Sequence, residues 1–157
     1  MTQVTNIPYD NLEVGQQASL ERTVEERDIQ LFAAMSGDHN PVHLDAEFAA
    51  KTMFKDRIAH GMFSGALISA AVACTLPGPG TIYLGQQMSF QKPVKIGDTL
   101  TVRLEILEKL PKFKVRIATN VKTPEGQRAV GTLLNPQGKA YAALALGFGV
   151  FRGDRLL

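Results

Sequence analysis

Residues 58–76 read IAHGMFSGALISAAVACTL, and the four that follow, Pro77-Gly78-Pro79-Gly80, stop whatever that segment forms. Its length approaches the roughly 20 apolar residues of a membrane span. His60, two glycines and two serines interrupt it, however, so the apolar character is unbroken only over shorter pieces. A helix that is apolar on nearly every side can also exist buried inside a globular domain. That reading places a long helix from about Ala59 to Leu76 and requires the remaining chain to supply a surface that surrounds it.

The downstream sequence has the texture of such a surface. TIYLGQQMSFQKPV (81–94), DTLTVRLEILEK (98–109) and KFKVRIATNV (112–121) alternate apolar and polar residues at period two, the signature of half-buried strands. Gly97-Asp98, Leu110-Pro111, TPEGQ (123–127) and NPQGK (135–139) punctuate them as turns. Upstream, LERTVEE (20–26) reads as a short edge strand running into a helix start, with Thr23 and Glu26 at capping-box spacing. ERDIQLFAAMSG then puts Ile29, Phe32, Ala33 and Ser36 on one helical face, and Gly37 suits a left-handed helix end. Pro41 forbids helical geometry at Asn40, which makes Asp38 to Asn40 a loop. Asp45 stands where a cap for AEFAAKTMF (46–54) belongs. Helices first and antiparallel strands afterwards give an α+β domain with the sheet wrapped around the central helix.

Bulk properties narrow the function classes. The 157 residues, 45% hydrophobic and 20% charged, suit one globular domain with a real core. A net charge of +2 without a basic stripe or a reading motif argues against nucleic acid and is compatible with an anionic substrate. The single cysteine, Cys74, excludes an internal disulfide and a cysteine-held zinc, and within AAVACTL it reads as a small buried hydrophobe. The N-terminus, MTQVTNIPYDNLEVGQ, lacks a cationic region followed by an apolar run, so a cytoplasmic location is expected.

The densest chemical cluster is Ser36-Gly37-Asp38-His39-Asn40-Pro41-Val42-His43, a carboxylate and two imidazoles in a loop whose backbone Gly37 and Pro41 constrain. It can equally be a helix–loop–helix connection with Asp and Asn as turn formers. A metal site on His39 and His43 is opposed by Pro41 between them and by Asn40 where a zincin carries glutamate. A serine hydrolase is opposed by the absence of a nucleophile elbow, since Gly61-Met-Phe-Ser-Gly65 has the wrong spacing. Acid/base chemistry by Asp38 and His43 on one substrate needs neither metal nor nucleophile.

SGDHNPVH followed by LDAEFAA, then IAHGM, then GPGTIYLGQQMSFQKPVKIGD, resembles the MaoC-like, R-specific enoyl-CoA hydratases. The chain matches every fixed position of their G-D-x-N-P-[apolar]-H core, and the similarity runs from about Leu12 to Val121. The resemblance implies a hot-dog fold, a homodimer, acyl-CoA substrates, no metal and no separate cofactor, coenzyme A being part of the substrate. It further implies reversible hydration of trans-2-enoyl-CoA to (R)-3-hydroxyacyl-CoA, in fatty-acid metabolism and polyhydroxyalkanoate precursor supply. By position, Asp38 and His43 correspond to the catalytic pair and Asn40 to the residue that orients them. Gly61, opening the central helix, is a candidate for the backbone donor to the thioester oxygen. Phe63, Leu67 and Ser69 are candidates for the acyl pocket, and Lys92, Lys95 or Arg103 for the coenzyme A phosphates. Residues 131–157 depart from the family's usual ending, and Ala140 to Phe151 is almost wholly apolar. A carrier-protein dehydratase, a thioesterase and a non-catalytic thioester-binding module are the alternatives on the same scaffold.

Overall fold

The computed structural model describes residues 6–136, 151–152 and 155–156. Most of the apolar stretch 140–151 and the end of the NPQGK turn therefore lie outside the described residues.

Strand β1 (Gln17–Thr23) leads into α1 (Glu26–Ser36), then α2 (Pro41–Leu44), α3 (Ala46–Lys51) and α4 (Gly61–Cys74). Four strands follow, β2 (Gly85–Phe90), β3 (Thr99–Leu110), β4 (Lys114–Thr123) and β5 (Gly126–Pro136), and late in the chain the two-residue strands β6 (Phe151–Arg152) and β7 (Arg155–Leu156) pair with each other. Strands β1 to β5 form one antiparallel sheet in the order β1-β3-β4-β5-β2, so β1 and β2 are its edges. The alternation read from the sequence is the pleat itself. Leu100, Val102, Leu104 and Ile106 on β3 and Val115, Ile117 and Val121 on β4 all point inward at 0% exposure, while their neighbours face out. Burying side chains of that size is worth roughly 1.5–3 kcal/mol each, which makes this face the main stabilising layer.

The sheet curves around α4, whose Phe63, Ile68, Ala71 and Val72 join the β3 and β4 residues in one core. On the opposite side of α4, Met62, Ala66, Ser69, Ala70 and Ala73 are exposed in the single chain. Cys74 belongs to that outer side and is exposed, not the buried hydrophobe its apolar neighbours suggested, because one sheet reaches only one face of the helix. No helix among the described residues is long and apolar enough to cross a membrane.

The entry to α1 also differs from the sequence reading. Thr23 remains in β1, paired with Thr99, so the cap falls two residues later. There the Asp28 carboxylate accepts the Glu25 N–H at 2.9 Å and Arg22 Nη2 at 2.7 Å. Burial alone would raise the pKa of Asp28, but the Glu25 N–H and the Arg22 guanidinium outweigh it and hold the carboxyl below its ordinary value. Gly37 ends α1 with φ 76°, the left-handed geometry expected of it.

Candidate active site

The acid/base loop is built by short-range rules. Gly37 reverses the chain, and the Asp38 side chain folds back so that Oδ1 accepts the Asn40 N–H at 3.2 Å. Asn40, held out of helical geometry by Pro41, caps α2 by accepting the Val42 N–H on Oδ1 at 3.2 Å. Its main chain fixes the Asp38 carboxyl, and its side chain starts the helical turn that presents His43. Asp45 caps α3 by accepting the Phe48 N–H at 3.0 Å.

His43 is 8% exposed, and its Nδ1–H donates to the Ile58 carbonyl at 2.7 Å. That bond leaves Nε2 facing Asp38, whose Oδ2 stands 3.9 Å away with its side chain half exposed. The pair is too far apart for a direct hydrogen bond and close enough for both groups to touch one water oxygen. His60, 3% exposed, stacks on His43 with ring centroids 3.9 Å apart and donates Nε2–H to the Asp38 carbonyl at 2.9 Å. Asp38, His43 and His60 each bring one potential ligand atom within 4.8 Å of the others. The two imidazoles are tilted by only 32°, so their ring planes, and the nitrogen lone pairs in them, run side by side.

Gly61 is the first residue of α4, where backbone N–H groups have no intrahelical acceptor. A Cβ built there would come within 3.3 Å of the Phe90 ring, so glycine is what lets Phe90 pack against the helix start. His43, His60, Gly61 and Ser64 share a cavity of about 400 Å³ whose far wall includes Lys92 and Arg128. A second cavity of about 540 Å³ runs along the outer side of α4, between Phe32, Met62, Ser69 and Met88. Phe90 lines both. Tyr83 also lines the second, and burial pushes its phenol pKa up.

Asp38, Asn40 and His43 are therefore brought together, His43 shares a cavity with Gly61 that Asp38 and Asn40 do not line, and Ser69 lines the other cavity. Phe63 packs within the core and Leu67 against it, and neither lines these two cavities, because both side chains turn toward the sheet. Of the three cations singled out, Lys92 borders the cavity containing His43. Lys95 pairs with Asp56 at 3.8 Å, and Arg103 lies on the sheet beside Gln17 and Lys122. The sequence reading missed Phe90 and Arg128. Arg128 is 7% exposed and held by Asp98 at 3.6 Å and Glu125 at 3.2 Å. A lone charge at an inward position of a strand was the signal available for it.

Residues 10–126 match the MaoC like domain. The chain belongs to the MaoC-like family. Among members of this MaoC-like group, the (R)-specific enoyl-CoA hydratase of Rhodospirillum rubrum is 46% identical over 106 residues, 68% of this chain and 74% of that protein. The solved structure of the R-hydratase PhaJ1 from Pseudomonas aeruginosa, in unliganded form, superposes with a TM-score of 0.83 at 62% identity. That match covers 86% of this chain and 88% of PhaJ1. The (R)-hydratase from Aeromonas caviae involved in PHA biosynthesis superposes at 0.78 with 39% identity, covering 80% of this chain and 97% of that one. These neighbours bear out the hot-dog α+β architecture of this MaoC-like chain.

Proposed function

We propose that this chain is an (R)-specific enoyl-CoA hydratase, interconverting trans-2-enoyl-CoA and (R)-3-hydroxyacyl-CoA. The observation that carries the mechanism is the 3.9 Å gap between Asp38 Oδ2 and His43 Nε2, beside the helix start at Gly61. Hydration requires a base to take a proton from water as its oxygen attacks Cβ, and an acid to deliver a proton to Cα. One water held between the two side chains serves both transfers on the same face of the double bond. His43 takes the water proton, because its Nδ1–H is committed to Ile58 and Nε2 is the nitrogen that faces Asp38. Asp38 anchors the water, receives from His43 the proton taken from it, and delivers that proton to Cα, so that OH and H of one water add across the double bond and both side chains return to their starting states. The Gly61 N–H, at the positive end of α4, accommodates the charge that develops on the thioester oxygen.

The apolar cavity along α4 suits the acyl tail, with Ser69 on its wall, and Lys92, which lines the cavity of His43, suits the coenzyme A phosphates by its charge. Neither metal nor separate cofactor enters the scheme, and the side-by-side imidazoles suit proton handling better than chelation. We also assign a homodimer and a cytoplasmic location to this reading. The outer side of α4, with Met62 58% exposed, adjoins the edge strand β2, where Phe90 is 51% exposed. A second copy pairing there about a two-fold axis would cover both at once.

Loss of the conjugated-thioester absorbance on adding enzyme to short- and medium-chain enoyl-CoA tests the activity, and chiral analysis of the product tests the stereochemistry. Asp38→Asn and His43→Gln are each expected to lower kcat by about 10² or more with little change in folding. Near-normal turnover in both variants would remove this loop from the mechanism.

A further inference from the structure

His60 resembles an ordinary core histidine until its bonds are counted. The Nε2–H donates to the Asp38 carbonyl at 2.9 Å, while Nδ1 is buried and has no hydrogen-bond partner. An unpaired buried nitrogen costs stability, and a phenylalanine would fill much the same volume without that cost. The imidazole is therefore explained by the bond it does make, not by packing. That bond ends on the main chain of Asp38, and the same ring lies 3.9 Å from the ring of His43. Phe32 meets it as well, at 4.9 Å.

Its place in the chain adds a third connection. His60 is the cap of α4, with φ −54° and ψ 135°, so the next N–H is that of Gly61. One side chain and its own backbone thus touch the acid, the base and the donor to the oxyanion. We propose that His60 is a positioning residue of the hydration reaction, holding the main chain of Asp38 and the imidazole of His43 in the register their proton transfers require. The inference rests on the assignment of Asp38 and His43 as the acid/base pair. The loop at 38–43 and the segment entering α4 are already joined by Ile58, which bonds His43 and Val42, and His60 adds a tie that reaches Asp38 itself. A displacement of about 1 Å between groups sharing one water is enough to cost on the order of 10²-fold in rate.

The test compares wild-type enzyme with His60→Phe and His60→Gln, measuring kcat and KM on crotonyl-CoA together with melting temperature. Phenylalanine keeps the ring contacts and removes the donor. Its kcat is expected to fall roughly ten- to a hundredfold with KM within about threefold, at a melting temperature close to wild type. Glutamine can place an amide N–H near the position of Nε2 and is expected to recover most of the lost kcat. A side chain that only filled space would give the opposite ranking, with phenylalanine the better replacement. If His60→Phe melts below the assay temperature, His60→Asn takes its place, since the shorter amide falls short of the Asp38 carbonyl. A glutamine variant faster than asparagine then upholds the role, and equal rates overturn it. The inference is equally overturned by a folded His60→Phe enzyme with kcat within about threefold of wild type. A wild-type protein with no hydratase turnover refutes the proposed function and this inference together, whereas an active enzyme indifferent to His60 refutes only the inference.

Discussion

Replacing Gly61 by proline removes the proposed oxyanion donor and leaves the helix that carries it intact. Proline lacks the N–H, yet the first position of a helix is where its fixed φ is best tolerated, since no intrahelical bond is lost there. The preceding residue must be extended, and His60 already sits at φ −54° and ψ 135°. The new Cβ meets the Phe90 ring at 3.3 Å, but that side chain is 51% exposed and can give by the few tenths of an ångström required. Gly61→Ala adds the same Cβ and keeps the N–H, so the ratio of the two variants isolates the donor. Single donors of this kind are worth roughly 2.7–4 kcal/mol in the transition state. At about 1.4 kcal/mol per decade, the proline enzyme should be on the order of 10²–10³ slower in kcat than the alanine enzyme. The assay is the decay of enoyl-thioester absorbance at saturating substrate, with thermal melts to show that both variants fold as wild type does. If folded Gly61→Pro and Gly61→Ala enzymes turn over within about threefold of each other, the oxyanion is stabilised elsewhere and Gly61 has only a packing role.

Three further outcomes test the fold and the assembly. The carboxyl of Asp28, held below its ordinary pKa chiefly by the Glu25 N–H and Arg22 against the opposing effect of burial, contributes stability above the unfolded value near 3.9 and loses it as pH falls through the folded one. Asp28→Asn should therefore cost about 1 kcal/mol in urea melts at neutral pH, with the gap to wild type closing as acid protonates the carboxyl in the folded state. Gly131→Ala would drive a Cβ to 2.1 Å from the Gln87 carbonyl oxygen across the β5–β2 pairing, and backbone cannot move aside cheaply. A loss of about 3 kcal/mol or more is expected, and an unchanged melting temperature would mean the two strands are not paired in this register. Light scattering coupled to size exclusion should return twice the 17.1 kDa of one chain, and Ala66→Arg on the exposed side of α4 should return one chain with reduced turnover.

Periodicity made the core legible and geometry beyond it illegible. β3 and β4 alternate strictly because one face is core and the other is not, and α4 stood out because it is apolar all round. β1 was placed about three residues late, since Gln17-Ala-Ser carries too little apolar contrast to mark an edge strand whose pairing comes from β3. The cap of α1 was misplaced for a related reason. Thr23 has the right spacing to Glu26, but the strand holds it, and the Asp28 carboxylate closes the turn instead. In the site, Asp38, Asn40 and His43 could be read because the motif is contiguous and its turn chemistry is local. Arg128 and Phe90 could not, because they reach the cavity from strands far along the chain.

The same distinction between local and long-range determinants describes how the site holds its shape. The segment from Gly37 to Val42 organises itself through the left-handed glycine, the Asp38 turn and the Asn40 cap. None of those contacts orients the His43 ring. Its orientation comes from the chain entering α4. The Ile58 carbonyl accepts His43 Nδ1–H at 2.7 Å, the Ile58 N–H donates to Val42 O at 3.4 Å, and His60 reaches back to Asp38 O at 2.9 Å. Ala59 N–H then ties the whole segment to Val94 O at 2.8 Å, at the mouth of the sheet. Residues 38–43 and 58–60 are thus laced together by hydrogen bonds that each cross the gap between two separately folded pieces. Proton transfer depends on distances that only this lacing sets, so substitutions that loosen 58–60 should reduce turnover before they reduce stability, whose larger share lies in the β3–β4–α4 core.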